Sequence, residues 1–272
     1  MNNTELEKYS APSFLEILEV ENIEYVVFDL DGTLLKTDEH FHELLTNLGI
    51  DISLSSNLLD PNYFLCLEMA RQLEKQTYQI YYDNNRQPTL IDEQYEQALL
   101  KYFEYLGVGE ITEEMRNIIK DYAYECYVNS PQEYQDVIEL LKSIKDSGRG
   151  ILFHSHAQED WTRIKTEYLC FSTGIKDIKY LATPITQKKD KESWEKAFNM
   201  TGKEPLNIMV IGDNFEADIL PAIEAGCRNV VWINRLNKKI SEEYKLPKDI
   251  NLHIVQDISE VKDLSHNLLV NI

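Results

Sequence analysis

Basic residues are scarce in this 272-residue chain: 27 Lys and Arg stand against 47 Asp and Glu, a formal charge of −20. A surface this acidic repels phosphate backbones and anionic lipid, so neither nucleic acid nor a membrane surface is expected as a partner. An anionic small molecule would need a local cation to enter. Cysteine is sparse too. Cys66, Cys126, Cys170 and Cys227 are widely spaced, with no CxxC and no Cys/His ligand pattern. That spacing excludes a disulfide framework or a zinc finger and suits reduced thiols. No apolar run approaches transmembrane length, and the opening MNNTELEKYS has neither a basic n-region nor an apolar h-region. The expectation is a soluble cytoplasmic protein. Internal repeats and low-complexity tracts are absent as well.

What the chain does have is 43% hydrophobic residues, enough for a sizeable core and, at this length, two domains. It also has one distinctive string, Phe28-Asp29-Leu30-Asp31-Gly32-Thr33-Leu34. Tyr25-Val26-Val27-Phe28 predicts a buried parallel strand, which ends by presenting two carboxylates two residues apart. Ligands of open α/β sheets bind beyond the carboxyl ends of the strands. Two like charges this close raise each other's pKa unless a cation sits between them. A hard, oxygen-seeking ion such as Mg²⁺ answers that need and shares its coordination with a substrate phosphate. Gly32 permits a sharp turn, and Thr33 brings a hydroxyl to it.

Periodicity divides the rest. Ser13 is a candidate cap for a short helix bearing Phe14, Leu15 and Leu18. Between residues 37 and 131 the strand signal disappears and four amphipathic stripes replace it. They run through Phe41, Leu44, Leu45 and Leu48; Leu65, Met69 and Leu73; Ile91 to Leu106; and Met115 to Cys126. A small helical bundle is expected there, its many tyrosines packing half-buried. From Pro131 onward strands and helices alternate, with apolar strands at 150–153, 178–181, 208–211, 230–233 and 252–255. The helix after the third of these is expected to run from Phe215 to Ala225 and to end at Gly226. The fold class is therefore α/β, a doubly wound parallel sheet. Residues 1–36 and 132–272 form its core domain, and residues 37–131 are inserted into it as a helical cap domain.

The FDLDGTL string resembles the first motif of the haloacid dehalogenase-like (HAD) superfamily, and three further stretches resemble the motifs that follow it. A hydrophobic strand ending in Ser or Thr matches Ile151-Leu152-Phe153-His154-Ser155. A lysine before a helix start matches Lys188-Lys189-Asp190-Lys191-Glu192. The acidic loop after a strand matches Ile211-Gly212-Asp213-Asn214-Phe215-Glu216-Ala217-Asp218. The resemblance covers residues 24–36 and 132–256; the insert matches in position and helical class only. His154 and His156 depart from the usual second motif. His154 is expected to be satisfied by backbone, while His156 is a candidate supporting group.

The resemblance implies an aspartyl-phosphate mechanism. Asp29 would be the nucleophile, and Asp31 the acid that protonates the leaving alcohol and then the base that activates water. Mg²⁺ would be held by the Asp29 carboxylate, the Asp31 backbone carbonyl and Asp213. Thr33, Ser155 and Lys188 would bind the phosphoryl group, with Lys188 preferred over Lys189 and Lys191. Gly32, Gly212 and Asp218 would support them. Dehalogenase members lack an acid at the Asp31 position, so its presence favours a Mg²⁺-dependent phosphatase of a small phosphorylated metabolite. A phosphomutase or phosphonatase is the near rival, and a non-catalytic binding or regulatory protein with the same fold the distant one. Neither the substrate's identity nor the oligomeric state is written in the sequence.

Overall fold

The structure is a computed structural model that describes residues 13–55, 112–184 and 187–266. Six parallel strands form one sheet in the order β3-β2-β1-β4-β5-β6. They are β1 (Tyr25–Phe28), β2 (Gly150–Ser155), β3 (Lys179–Ala182), β4 (Ile208–Gly212), β5 (Asn229–Ile233) and β6 (Asn251–Val255). The doubly wound parallel sheet expected from the alternation is present. β1 pairs in register with β2 on one side and β4 on the other, Phe28 lying beside Phe153 and Ile211. The strand order reverses at β1 and β4, so their carboxyl ends frame the crevice where such sheets bind ligands.

Both sheet faces are covered, which is why the strands read as continuous apolar runs. Val26, Phe28, Ile151, Phe153, Met209 and Ile211 pack beneath α1 (Phe14–Val20), α4 (Val137–Asp146) and α5 (Glu159–Thr173). Val27, Leu152, Val210 and Trp232 face α6 (Lys191–Thr201) and α7 (Leu220–Glu224) through Trp194, Phe198 and Ile223. Each such large apolar side chain contributes about 1.5–3 kcal/mol when fully buried. Ser13 does cap α1, in a capping box with Glu16.

The helix expected over Phe215–Ala225 is interrupted. Phe215–Ile219 forms a π turn, and α7 begins only at Leu220. Pro221 has no N–H for the Ala217 carbonyl, and that carbonyl accepts the indole N–H of Trp194 instead, at 2.8 Å.

The described ends of the inserted segment are helical: α2 (Thr37–Ser55) and α3 (Glu113–Val128). They are joined by a hydrogen bond from the Tyr122 hydroxyl to Asp51, 2.7 Å, and by the rings of Phe41 and Tyr127. The stripes through Leu65 and through Ile91 lie outside the described residues. The chain leaves and rejoins the α/β unit along a paired seam, where Lys36 N–H donates to the Gln132 carbonyl and Tyr134 N–H to that of Leu34. No described helix is long and apolar enough to cross a membrane.

Candidate active site at the carboxyl ends of β1, β2 and β4

Four carboxylates and two lysines meet just beyond β1. Asp29 continues β1, its backbone N–H donating to Ile211 O at 3.0 Å, and its side chain is 7% exposed. One oxygen, Oδ1, accepts from Lys189 Nζ at 2.6 Å. The other, Oδ2, is buried and has no hydrogen-bond partner among the described residues. Lys189 also donates to Asp218 Oδ1 at 2.7 Å, while Asp218 Oδ2 accepts from the Asn214 backbone N–H. Burial works against the Lys189 charge, but Asp218 and Asp29 outweigh it and raise the ammonium's pKa.

Lys189, not Lys188, is therefore the lysine at Asp29. Lys188 is exposed, and Lys191 pairs with Glu195 on the surface of α6. The choice of Lys188 fails for a geometric reason. Asp190 caps α6 by accepting from Ser193 N–H, which sets the chain direction so that the residue just before the cap enters the site. Consecutive residues ahead of a cap point apart, and no sequence pattern separates them.

Two glycines make the carboxylate cluster possible. Gly32 has a φ of +76°, and a Cβ there would lie 2.6 Å from Asp213 Oδ2. At Gly212 a Cβ would lie 2.4 Å from the Asp218 Cβ. Asp213 receives the Thr33 hydroxyl at 3.3 Å, and its backbone carbonyl is held by the Trp232 indole. Burial first, and then Asp218, push the Asp213 pKa up to about 7. Burial and Asp218 also raise Asp29 well above the usual carboxylate range, against the opposing pull of Lys189. Negative charge is thus in excess here.

Among the described residues, Asp29, Asp213 and Asp218 can each offer an oxygen to one metal ion, all within 4.8 Å of one another. Both Asp218 oxygens are already engaged. The unpartnered Asp29 Oδ2 and Asp213 Oδ2, the oxygen that Thr33 leaves open, are the free donors, and hard oxygen donors of this kind fit Mg²⁺.

Asp31 faces away from this cluster. Thr37 donates to its Oδ1 at 2.7 Å and Ser155 to its Oδ2 at 2.7 Å. Lys165 Nζ donates to both oxygens, at 2.7 and 2.6 Å. Burial alone would raise the Asp31 pKa, but Lys165 and these hydroxyls outweigh it and the net shift is downward. Its side chain keeps 26% exposure, enough to reach the crevice. The sequence offered Asp31 to the metal through its backbone carbonyl; its carboxylate belongs to a different group of residues.

The histidines also separate. His156 donates Nε2–H to the Gln187 carbonyl at 2.7 Å, bracing the segment that carries Lys189. His154 is fully buried and its Nε2 meets the hydroxyls of Thr183 and Ser193 at 2.9 and 2.8 Å. Side chains, not backbone, satisfy it, because β2 turns it toward α6.

Lys165 and Arg235 carry no motif and were missed. Arg235 donates to the Gly32 carbonyl and stacks 3.9 Å over the Tyr134 ring. Lys165 did leave one signal. It sits four residues after Trp161 and four before Leu169 on the buried face of α5, where a charged residue needs a partner.

A family model for the haloacid dehalogenase-like hydrolases matches residues 23–226. The chain belongs to that family. Solved structures of similar fold include the HAD-hydrolase YfnB from Bacillus subtilis bound to magnesium, 15% identical, covering 89% of this chain and 98% of that one with a TM-score of 0.58. A HAD phosphatase from Thermococcus onnurineus is 17% identical, with coverages of 91% and 100% and a TM-score of 0.53. A 2-haloacid dehalogenase from Pseudomonas syringae pv. Tomato DC3000 is 16% identical, with coverages of 89% and 97% and a TM-score of 0.52. No curated protein matches the sequence. As a HAD-like hydrolase, the chain is expected to centre its chemistry on the carboxyl end of β1, where Asp29 stands.

Proposed function

We propose that this HAD-like hydrolase is a Mg²⁺-dependent phosphatase that cleaves a small phosphorylated metabolite through an aspartyl-phosphate. The observation that carries the reading is the pair Asp29 and Asp31 on one turn, one carboxylate oxygen of Asp29 buried and unpartnered, and Asp31 a second acid reaching the same crevice. A hydrolase that displaces halide has no use for that second acid; one that expels an alkoxide needs it.

In the first half, a carboxylate oxygen of Asp29 attacks phosphorus, the bond from phosphorus to the leaving oxygen breaks, and that oxygen takes a proton from Asp31, which must carry it into the reaction against the downward pull of Lys165. In the second half, Asp31 takes a proton from water, the water oxygen attacks phosphorus, and the bond to Asp29 breaks to release inorganic phosphate. Lys189 holds Asp29 in place through Oδ1. The Ser155 hydroxyl, at the end of β2, donates to Asp31 and would serve as the phosphoryl-oxygen donor when substrate binds. Mg²⁺ held by Asp29 and Asp213 would supply the positive charge that draws in a phosphate dianion. The segment inserted between β1 and β2 would serve as a cap that selects the substrate.

The test is phosphate release from p-nitrophenyl phosphate and a panel of phosphorylated sugars, nucleotides and acids, with Mg²⁺ or EDTA, beside halide release from 2-haloacids. Metal-dependent phosphate release that vanishes in Asp29→Asn supports the reading. Halide release without phosphate release, or phosphate release that survives Asp29→Asn, overturns it.

A further inference from the structure

A lysine with no exposed surface is expensive. Removing an ammonium from water costs several kcal/mol, and replacing a buried ion pair by well-packed apolar groups is often neutral or stabilising. Lys165 is fully buried in the middle of α5, among Trp161, Thr162, Thr166 and Leu169. A methionine would fill the same slot against the Trp161 ring, over which Nζ lies at 3.9 Å. Stability alone gives no reason for a charge there.

The reason lies at the far end of the side chain. Nζ contacts both oxygens of Asp31 and lies 3.4 Å from Ser155 Oγ, which itself donates to Asp31. Thr37, on the first turn of α2, fills out the shell. The carboxylate therefore accepts four hydrogen bonds, and the ammonium is the one contact that carries charge. On the other side of the site Lys189 is committed to Asp29 and Asp218. Lys165 is thus the cation that balances Asp31, while Lys189 balances the nucleophile.

We infer that Lys165 is a positioning residue of the active site, fixing the Asp31 carboxylate and the Ser155 hydroxyl as one preset unit beside Asp29. This rests on the phosphatase reading for the work Asp31 does, but the placement itself rests on geometry. Without Lys165, Asp31 keeps two hydroxyl donors but stands as an unbalanced carboxylate beside Asp29, and like charges drive the two apart. A group held a fraction of an ångström out of place reacts far more slowly, although substrate still binds through the remaining contacts.

The test is a double-mutant cycle on the full chain with p-nitrophenyl phosphate and Mg²⁺, using Lys165→Met, Asp31→Asn and the pair together. Lys165→Met should lower kcat by about 10²-fold and leave KM within about threefold, because Lys165 itself touches no substrate group. Adding Lys165→Met to Asp31→Asn should cost less than about threefold more, since the lysine acts through the aspartate. Thermal melting provides a second reading. Lys165→Met should melt well below wild type, and the neutral pair Lys165→Met with Asp31→Asn should recover most of the loss. A folded Lys165→Met with wild-type kcat, or losses that multiply in the double variant, overturns the inference while the phosphatase reading stands. If wild type releases no phosphate from any ester, the phosphatase reading fails by itself. The melting cycle then decides the inference, and a double variant no more stable than Lys165→Met overturns it.

Discussion

Replacing Lys189 by methionine, beside the same replacement at Lys188, tests the arrangement around Asp29 most directly. Lys189 makes two short charged hydrogen bonds, to Asp29 at 2.6 Å and Asp218 at 2.7 Å, and all three side chains are buried. Taking one partner from a buried ion pair costs about 3–5 kcal/mol, because the carboxylates left behind are neither solvated nor paired. At roughly 2–4 °C per kcal/mol for a domain near this size, Lys189→Met should melt about 6–20 °C lower. Activity should fall by about 10²–10³-fold, the usual effect of removing one charge-stabilising donor. Lys188 is exposed, so Lys188→Met should stay within about 0.5 kcal/mol of wild type and keep its turnover. Adding Asp218→Asn to Lys189→Met should restore part of the stability, by removing one stranded charge, and none of the activity. The measurements are differential scanning calorimetry and steady-state phosphate release. Equal losses from both lysine variants, or a larger loss from Lys188→Met, would refute the assignment.

Mg²⁺ should raise the melting temperature and EDTA lower it, since an added cation relieves the repulsion between Asp29 and Asp213; at 100 times its Kd the gain is about 2.7 kcal/mol. An unchanged melt at saturating Mg²⁺ would count against a metal site. Gly32→Ala should lose about 1–2 kcal/mol from its left-handed backbone alone and also shrink that Mg²⁺-dependent gain, because the new methyl displaces Asp213. His154 should make the fold acid-sensitive. Burial first, and then Lys189, hold its folded-state pKa well below the ordinary 6.5. The unfolded chain then binds a proton that the folded chain refuses, so its contribution is complete above about pH 6.5 and is lost below it at up to about 1.4 kcal/mol per pH unit. Denaturant melts of wild type and His154→Asn between pH 7 and 5 should show a shallower pH slope in the variant.

Much of the architecture was legible because it is local. Tyr25–Phe28, Ile208–Gly212 and Asn229–Ile233 are continuous apolar runs, as strands covered on both faces must be. The turn residues Gly32 and Gly212 mark places where a side chain has no room. Asp29, Asp31, Ser155 and Asp213 could be named because their strand-end stretches resemble the HAD motifs in order, and parallel strands carry such strand ends into one crevice.

What the chain alone did not disclose depends on direction and on contacts between distant segments. Lys188 and Lys189 are equivalent in a string, and only the path of the chain into α6 turns one inward. The π turn at Phe215–Ile219 follows from Pro221 together with Trp194, and the indole that claims the Ala217 carbonyl comes from another helix. Lys165 reaches Asp31 across 134 residues of sequence, so its partner was invisible even though its place on an apolar helix face was not. Residue type and spacing determined the sheet, the strand-end acids and the family. The pairing of each lysine with its carboxylate was decided by the tertiary structure, because a buried charge can only be read together with the group that balances it.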